Sequence, residues 1–446
     1  MKKIQLYRIA LLAMLPAFVL TSCRFEDEDY FDESPALRIE HQGDAVKELL
    51  VSAPNGWVMQ FFCATDVAQF EGFNLFARFD KNGKVTFAGD HRFLRDGNRN
   101  KYTEATSLYE MLNEDGMVLA FNVWNDILSP FSDPVGYGYA PTYIIKDGVG
   151  MHGDHNFVVM SYNDNEIILR GERHGAEVRL VKCDRDWQKY IEDTKAAKEK
   201  YCSSELTSYY VKSDTTTLYF SGLADGKFLY TDNLDKTKSV KVDSLACVFT
   251  PNGFRLEKNN VIGDKKFHEF TFSKDSTCLV NEDGSVKITA TWDQHVANRS
   301  TIWYLDLDSL SDDLKKLVAE LDAALTAANK NNSLAAVGFG KTTNANNVTG
   351  LVVQWYTTSR KTTKKMGGIT FKRSIPAYGQ LAIDCDDEPT ADNEMKSKAA
   401  EVVAAARNLA KGFVGTYNLT PESYLVPSPV TAVSVDGTKK FKLASK

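Results

Sequence analysis

Phe73-Asn74-Leu75-Phe76-Ala77-Arg78-Phe79, then Asp80-Lys81-Asn82-Gly83, then Lys84-Val85-Thr86-Phe87 is the stretch that sets the fold class. Both flanks are rich in aromatic and β-branched residues, which fit a pleated, half-buried surface. Asn and Gly tolerate the positive φ that tight hairpin turns require. An antiparallel hairpin is expected here, and the same pattern recurs along the chain. Trp57 to Phe62, Met117 to Val123, Asn156 to Met160, Glu166 to Arg170 and Glu177 to Val181 read as further strands. Beyond Leu206, Thr216 to Phe220, Gly226 to Tyr230, Ser239 to Val242, Ala246 to Phe249, Phe267 to Phe272 and Val286 to Thr289 are short and bounded by turns. Leu351 to Tyr356 and the tail from Phe413 add more.

Helices punctuate this pattern. Ser34-Pro35 starts one, with Val46, Leu49 and Leu50 on its buried side and Pro54-Asn55-Gly56 ending it. Asp186 to Tyr201 places Trp187, Tyr190, Ile191, Ala197 and Tyr201 at helical spacing. Leu310 to Asn329 carries one apolar stripe through Leu314, Leu317, Val318, Leu321 and Leu325, behind a Ser309-x-x-Asp312 capping box. Asn393 to Lys411 is a fourth, closed by Gly412. The fold class is therefore α+β: predominantly antiparallel β-sheet with several packing helices. A helix precedes both Val58-Met59-Gln60-Phe61-Phe62 and Val352-Val353-Gln354-Trp355-Tyr356, a faint internal echo that chance explains equally well.

The N-terminus gives an address. Lys2, Lys3 and Arg8 precede the apolar run Ile9 to Leu20. That run is shorter than the roughly 20 apolar residues a spanning helix needs, and suits a signal peptide. It closes on Leu20-Thr21-Ser22-Cys23, similar to a bacterial lipobox. Cys23 is the expected lipidation site, taking a diacylglyceryl group and, after cleavage, a palmitate-type chain on its new amine. Two or more chains give stable anchoring where one is marginal. The acidic run Glu26 to Asp29 resembles the export signal of surface-exposed lipoproteins, and reads otherwise as a solvated spacer.

The expected organisation is a signal peptide at 1–22, an acidic linker at 23–33, a β-rich domain at 34–204 and a second β-rich domain at 205–446. The last contains two amphipathic helices and an option to divide near 300. With 43% hydrophobic and 25% charged residues the composition is that of an ordinary globular chain. A net charge of -6 argues against nucleic acid as a partner. Six cysteines remain besides Cys23: Cys63, Cys183, Cys202, Cys247, Cys278 and Cys385. They are scattered, form no C-x-x-C, and are expected as free, half-buried thiols.

Taken in order, the lipobox, Ser52-Ala53-Pro54-Asn55-Gly56-Trp57-Val58-Met59, the Phe79-Asp80-x-x-Gly83-Lys84-Val85 hairpin, Phe131-Ser132-Asp133-Pro134 and Gly153-Asp154-x-x-Phe157-x-Val159-Met160 resemble the uncharacterised Bacteroidales lipoproteins of domain-of-unknown-function family 4302. The motifs cover the first 160 residues, and layout alone extends the likeness. The resemblance implies an outer-membrane lipoprotein, encoded in many cases near SusC/SusD-like nutrient-import systems. It implies no activity and no catalytic residues. It asks for Gly153 and Asp154, not for the histidines beside them.

Few groups carry chemistry. His152, Asp154 and His155 are weak metal candidates, because three side chains within four loop residues rarely converge on one ion. Ala335-x-x-x-x-Gly340-Lys341-Thr342 matches a relaxed Walker pattern, but the following Asn/Thr-rich stretch does not open the helix a phosphate loop needs. Asp306-x-Asp308 departs from a calcium loop at Ser311 and Leu317. The acids Asp384 to Glu388 read first as a solvated loop. Tyr137 and Tyr139, in the Pro- and Gly-rich loop Pro130 to Tyr143, are the candidate ligand-binding residues, through stacking on sugar rings. No cofactor is expected. The expected function is a tethered, non-enzymatic accessory protein that meets a glycan or peptide ligand or SusC/SusD-like transport components. The alternatives are an extracellular hydrolase with scattered carboxylates and a structural or adhesive surface protein.

Overall fold

The computed structural model describes residues 35–445 apart from 64–69, 96, 114–115, 134–150, 176, 203–207, 234–236, 239–241, 299–300, 344–346 and 426–427. Cys23, Tyr137, Tyr139 and most of the Ser239 to Val242 strand lie outside the described residues.

The chain builds three sheets from three consecutive segments. Helix α1 (Pro35–Ser52) leads into β1 (Trp57–Phe61), β2 (Phe73–Phe79), β3 (Lys84–Gly89), β4 (Thr103–Leu108), β5 (Glu110–Asn113), β6 (Met117–Ala120), β7 (Asn156–Tyr162), β8 (Glu166–Gly171) and β9 (Glu177–Lys182). Helix α2 (Trp187–Tyr201) follows. Strands β10 (Ser208–Lys212), β11 (Thr217–Ser221), β12 (Lys227–Thr231), β13 (Val242–Thr250), β14 (Gly253–Ile262), β15 (Lys265–Phe272), β16 (Leu279–Asn281) and β17 (Lys287–Ala290) close a barrel. Helix α3 (Trp292–Ala297) and β18 (Trp303–Asp306) begin the last segment. It continues as α4 (Asp312–Ala328), β19 (Ser333–Lys341), β20 (Thr349–Tyr356), β21 (Lys364–Thr370), β22 (Lys372–Ser374), β23 (Gln380–Asp384), α5 (Asn393–Lys396), α6 (Ala400–Gly412), β24 (Gly415–Pro421), β25 (Val430–Ser434) and β26 (Lys440–Ser445). Every described pairing is antiparallel, so the structure is sheet-dominated α+β, as the sequence implies.

The first and third sheets share one strand order. It runs β4-β3-β2-β1-β9-β8-β7-β6-β5 in the first and β21-β20-β19-β18-β26-β25-β24-β23-β22 in the third. The first strand of each pairs with its last. Each sheet also rolls up, because its two edge strands adjoin in the chain: only Tyr109 separates β4 from β5, and only Phe371 separates β21 from β22. Both residues are buried. A strand bent at such a joint turns the corner between two halves of a sheet. The common order relocates the internal echo. Val58 lies in β1, whose counterpart is β18, whereas Val352 lies in β20, the counterpart of β3.

Alternation decides what fills each unit. Trp57, Met59 and Phe61 point into the first core with Leu75, Phe87, Phe157 and the α1 residues Val46 and Leu50. Val58 and Phe76 face the other way, onto Trp187 and Tyr190 of α2. In the third unit, Leu314, Val318, Leu321 and Leu325 of α4 pack with Val402, Ala406 and Leu409 of α6 on Trp303, Phe339 and Trp355. Helix α4 starts after Ser311, not at the expected capping box. The Ser309 hydroxyl donates to the Asp306 carbonyl and accepts from the Lys442 backbone N–H, tying the turn to β26. The helix expected over Asn393 to Lys411 is broken at Ala399, which is extended. The break seats fully buried Met395 against β21, where a Cβ on Gly367 would stand 3.1 Å from the Met395 nitrogen.

The barrel is packed solid. Among the described residues Val211, Phe220, Phe228, Leu245, Phe254, Phe270 and Ile288 fill its interior. Its neighbours complete the filling: Ala197 and Tyr201 from α2 and Leu425 from the loop after β24 join the same cluster. The Tyr201 hydroxyl donates to the Gly253 carbonyl at 2.8 Å.

The outward-facing residues of β14 meet the first sheet. Arg255 is almost fully buried and pairs with Glu177, while Arg179 bridges Glu166 and Glu269 at 2.8 and 3.0 Å. Glu257 sits in this seam with Oε1 buried and without a hydrogen-bond partner among the described residues. Burial pushes its carboxyl up to about 7. The folded protein therefore holds a proton that the unfolded chain releases near its ordinary value, and stability falls as pH rises towards 7. Glu257→Gln is expected to stabilise the protein at pH 8 by about 1–2 kcal/mol, discounted for partial exposure, and to change little at pH 4. Urea unfolding at the two pH values checks this.

Candidate functional site

The residues singled out by sequence are explained first by structure. Asp154 is buried, and its carboxylate accepts the backbone N–H groups of Arg173 and His174 at 3.1–3.2 Å. It brackets the turn after β8. Gly171 leaves room for it, since a Cβ there would lie 1.9 Å from Asp154 Oδ2. Gly153 presses the preceding turn onto Phe131, whose carbonyl a Cβ would meet at 2.6 Å. His152 stacks parallel on His174 with centroids 4.9 Å apart, while His155 is exposed. Among the described residues no three His, Cys, Asp or Glu side chains are placed to hold a metal ion.

The relaxed Walker segment is strand β19, paired with β18 and β20. Its glycines serve close strand approach: a Cβ on Gly338 would lie 2.6 Å from the Trp303 carbonyl. Asp306 accepts from the Asp308 backbone, Asp384 accepts from the Cys385 backbone, and Glu388 pairs with Arg407 at 2.9 Å. The six cysteines are free thiols. Burial raises the Cys63 and Cys247 thiols well above the ordinary range, which keeps them neutral and unreactive.

A cleft of about 740 Å³ lies elsewhere, between the barrel and the third sheet. One wall is barrel: Lys212, the 273–278 turn, Val280, Lys287 and Thr289. The other is Tyr378, from the loop before β23, and Tyr424, from the loop after β24. Asp293, fully buried in α3, fixes this junction. It accepts the Tyr210 hydroxyl at 2.8 Å and the Gly379 N–H at 3.3 Å, tying β10 to the Tyr378 loop. Tyr378 is 46% exposed although Tyr210 and Trp292 both meet it edge-on. The Lys212 ammonium stands 3.3 Å from its ring centroid. Burial lowers the Lys212 ammonium from its usual value, against the pull of Asp293. Burial also raises the Tyr378 phenol, so it stays protonated. A fixed aromatic ring and a desolvated cation together form a rigid recognition surface.

A second cleft of about 360 Å³ separates the first sheet, α2 and the barrel; ion pairs Arg92–Glu71 and Lys195–Asp90 take up four of the charged groups that line it, and Lys198 lies over the Phe249 ring. The Tyr378 cleft was not legible in sequence. Its lining residues are separated by up to 212 positions, from Lys212 to Tyr424, and no local spacing links them.

The family profile described as "Domain of unknown function (DUF4302)" matches residues 27–274. The chain belongs to this family. The DUF4302 match spans the first sheet and ends in the barrel's 273–278 turn, so the third sheet, with Tyr378 and Tyr424, lies beyond it. No curated protein matches. Among solved structures, similarity is found to the DNA polymerase III subunit beta from Pseudomonas aeruginosa, at 6% identity over 92% of this chain and 98% of that one, with a TM-score of 0.14. A putative DNA polymerase III beta subunit from Eubacterium rectale ATCC 33656 gives 7% identity over 91% and 98%, with a TM-score of 0.12. At such TM-scores the backbones do not superpose, and the likeness carries no argument.

Proposed function

We propose that this DUF4302 protein is a lipid-anchored, surface-exposed outer-membrane protein that captures an extracellular ligand without turning it over, as an accessory to a nutrient-import complex. The lipobox at Cys23, the acidic run behind it and the Bacteroidales lipoprotein resemblance support the anchor and the address. The observation that carries the binding role is the cleft at Tyr378, a half-exposed ring locked beside Lys212 in a cavity of about 740 Å³. The ligand is one with flat apolar faces and hydroxyl groups, which saccharides supply. Binding is favoured over hydrolysis because a glycosidase needs two facing carboxyl groups. Among the described residues the only carboxylate lining the cleft is Asp275, whose Oδ1 accepts from Ser273 and Thr277. Two measurements test the reading. Cys23→Ala is expected to move the protein from the membrane to the soluble fraction, and a Cys23→Ala protein that stays lipid-bound contradicts the anchor. Incubation of the pure protein with a glycan panel is expected to give saturable binding without product, and product formation contradicts the accessory role.

A further inference from the structure

We infer that the Tyr378 cleft selects an acidic saccharide, a chain whose sugar rings carry carboxylate or sulfate groups; this rests on the cleft being the ligand site. Whole-chain charge points the other way, at -6. The cleft nonetheless presents Lys212, Lys274 and Lys287, none of which has a carboxylate within ion-pair distance among the described residues. Two acids are near. Asp293 lies beneath the floor with its oxygens engaged by the Tyr210 hydroxyl and by the Gln294 and Gly379 N–H groups. Asp275 has its Oδ1 turned to its own loop. The three ammonium groups therefore have donors to spare and no carboxylate in ion-pair contact among the described residues.

Lys212 is the sharpest case. Its head is half-buried between the rings of Tyr378 and Tyr210, at 3.3 and 5.2 Å from their centroids. The rings satisfy the cation through their faces but leave N–H donors directed away from them unmatched. An incoming carboxylate or sulfate completes that shell with charge-assisted hydrogen bonds, which are roughly twice as strong as neutral ones. Lys287 and Lys274, exposed at the rim, supply steering and a second contact. The ring of Tyr378 supplies the apolar face on which the sugar lies. A neutral sugar gains the stacking and leaves the ammonium groups unpaired. An acidic peptide gains the charge and wastes the ring.

The test uses the full chain in detergent. It is titrated with oligogalacturonate and chondroitin sulfate oligosaccharides, with their methyl-esterified and desulfated forms, and with polyglutamate. The acidic saccharides are expected to bind at least about ten-fold more tightly than their neutralised forms, and to weaken as salt rises. Lys212→Gln/Lys287→Gln is expected to remove that preference while thermal unfolding stays unchanged. Preference for carboxylated over sulfated chains, or the reverse, tells which anion is read. Equal affinity for acidic and neutral forms overturns the inference and leaves a saccharide cleft standing. Polyglutamate binding as tightly as the saccharides overturns it in favour of a peptide. An unaffected lysine double variant overturns it by placing the anion elsewhere. Failure of every saccharide overturns this inference and the cleft reading together.

Discussion

Leu425→Ala is expected to destabilise the barrel by about 3 kcal/mol, within the 2–5 kcal/mol range for buried leucines. The residue belongs by sequence to the third unit, in the loop after β24, yet its side chain is 1% exposed inside the barrel's core. The loop reaches there through backbone bonds on both sides: Tyr424 N–H to Thr277 at 3.0 Å and Ala290 N–H to Tyr424 at 2.7 Å. Truncation leaves a cavity that these bonds prevent from closing. The barrel is the element that both neighbours complete, so the loss is expected in β10, β16 and β17, not in β24 itself. Native-state hydrogen exchange checks this, with protection in those three strands falling roughly a hundred-fold. Unchanged protection there would mean that the barrel stands without its plug.

The second large effect is at Asp154. Asp154→Ala removes the acceptor of two backbone N–H groups in a site with little access to water. Each unsatisfied buried donor costs about 1–3 kcal/mol, so a loss of about 2–4 kcal/mol is expected in urea unfolding. Gly171→Ala should do comparable damage from the other side, since its Cβ would enter the carboxylate. His152→Ala and His155→Ala are expected to be mild. Neither a chelator nor added zinc is expected to shift the wild-type curve. Stabilisation by zinc that disappears in His152→Ala would revive the metal reading. The contrast gives the Gly153-Asp154 pair a structural meaning: the glycine lets one turn press onto Phe131 and the aspartate ties down the next.

What the sequence made legible was local. The Phe73 to Phe87 hairpin, the Trp187 to Tyr201 helix and the α4 stripe each carry their own periodicity and turn chemistry, and each is present where expected. Strand β14 escaped because its outward residues face another unit. Charged Arg255 and Glu257 interrupt its apolar pattern, and the register shifts between Arg255 and Asn260. Trp303 to Asp306 is too short to show alternation, although it is the strand on which the third sheet closes. The shared strand order of the two nine-stranded sheets left no usable trace, because helices interrupt the two copies at different points. The cleft needed tertiary structure: Asp293, Tyr210 and Gly379 meet only after the barrel and third sheet dock. By contrast the proposed anchor at Cys23 rests wholly on sequence.

Whether the ligand sits at Tyr378 is decided by a three-way comparison of binding. Wild-type protein, Tyr378→Ala and Tyr137→Ala/Tyr139→Ala are titrated with the same saccharide panel, with exposed Tyr162→Ala as a surface control. Loss of an aromatic stacking partner is expected to cost about ten-fold or more in affinity. That loss is expected for Tyr378→Ala, with the double variant and the control unchanged. Full affinity in Tyr378→Ala, with binding lost in Tyr137→Ala/Tyr139→Ala, would contradict it.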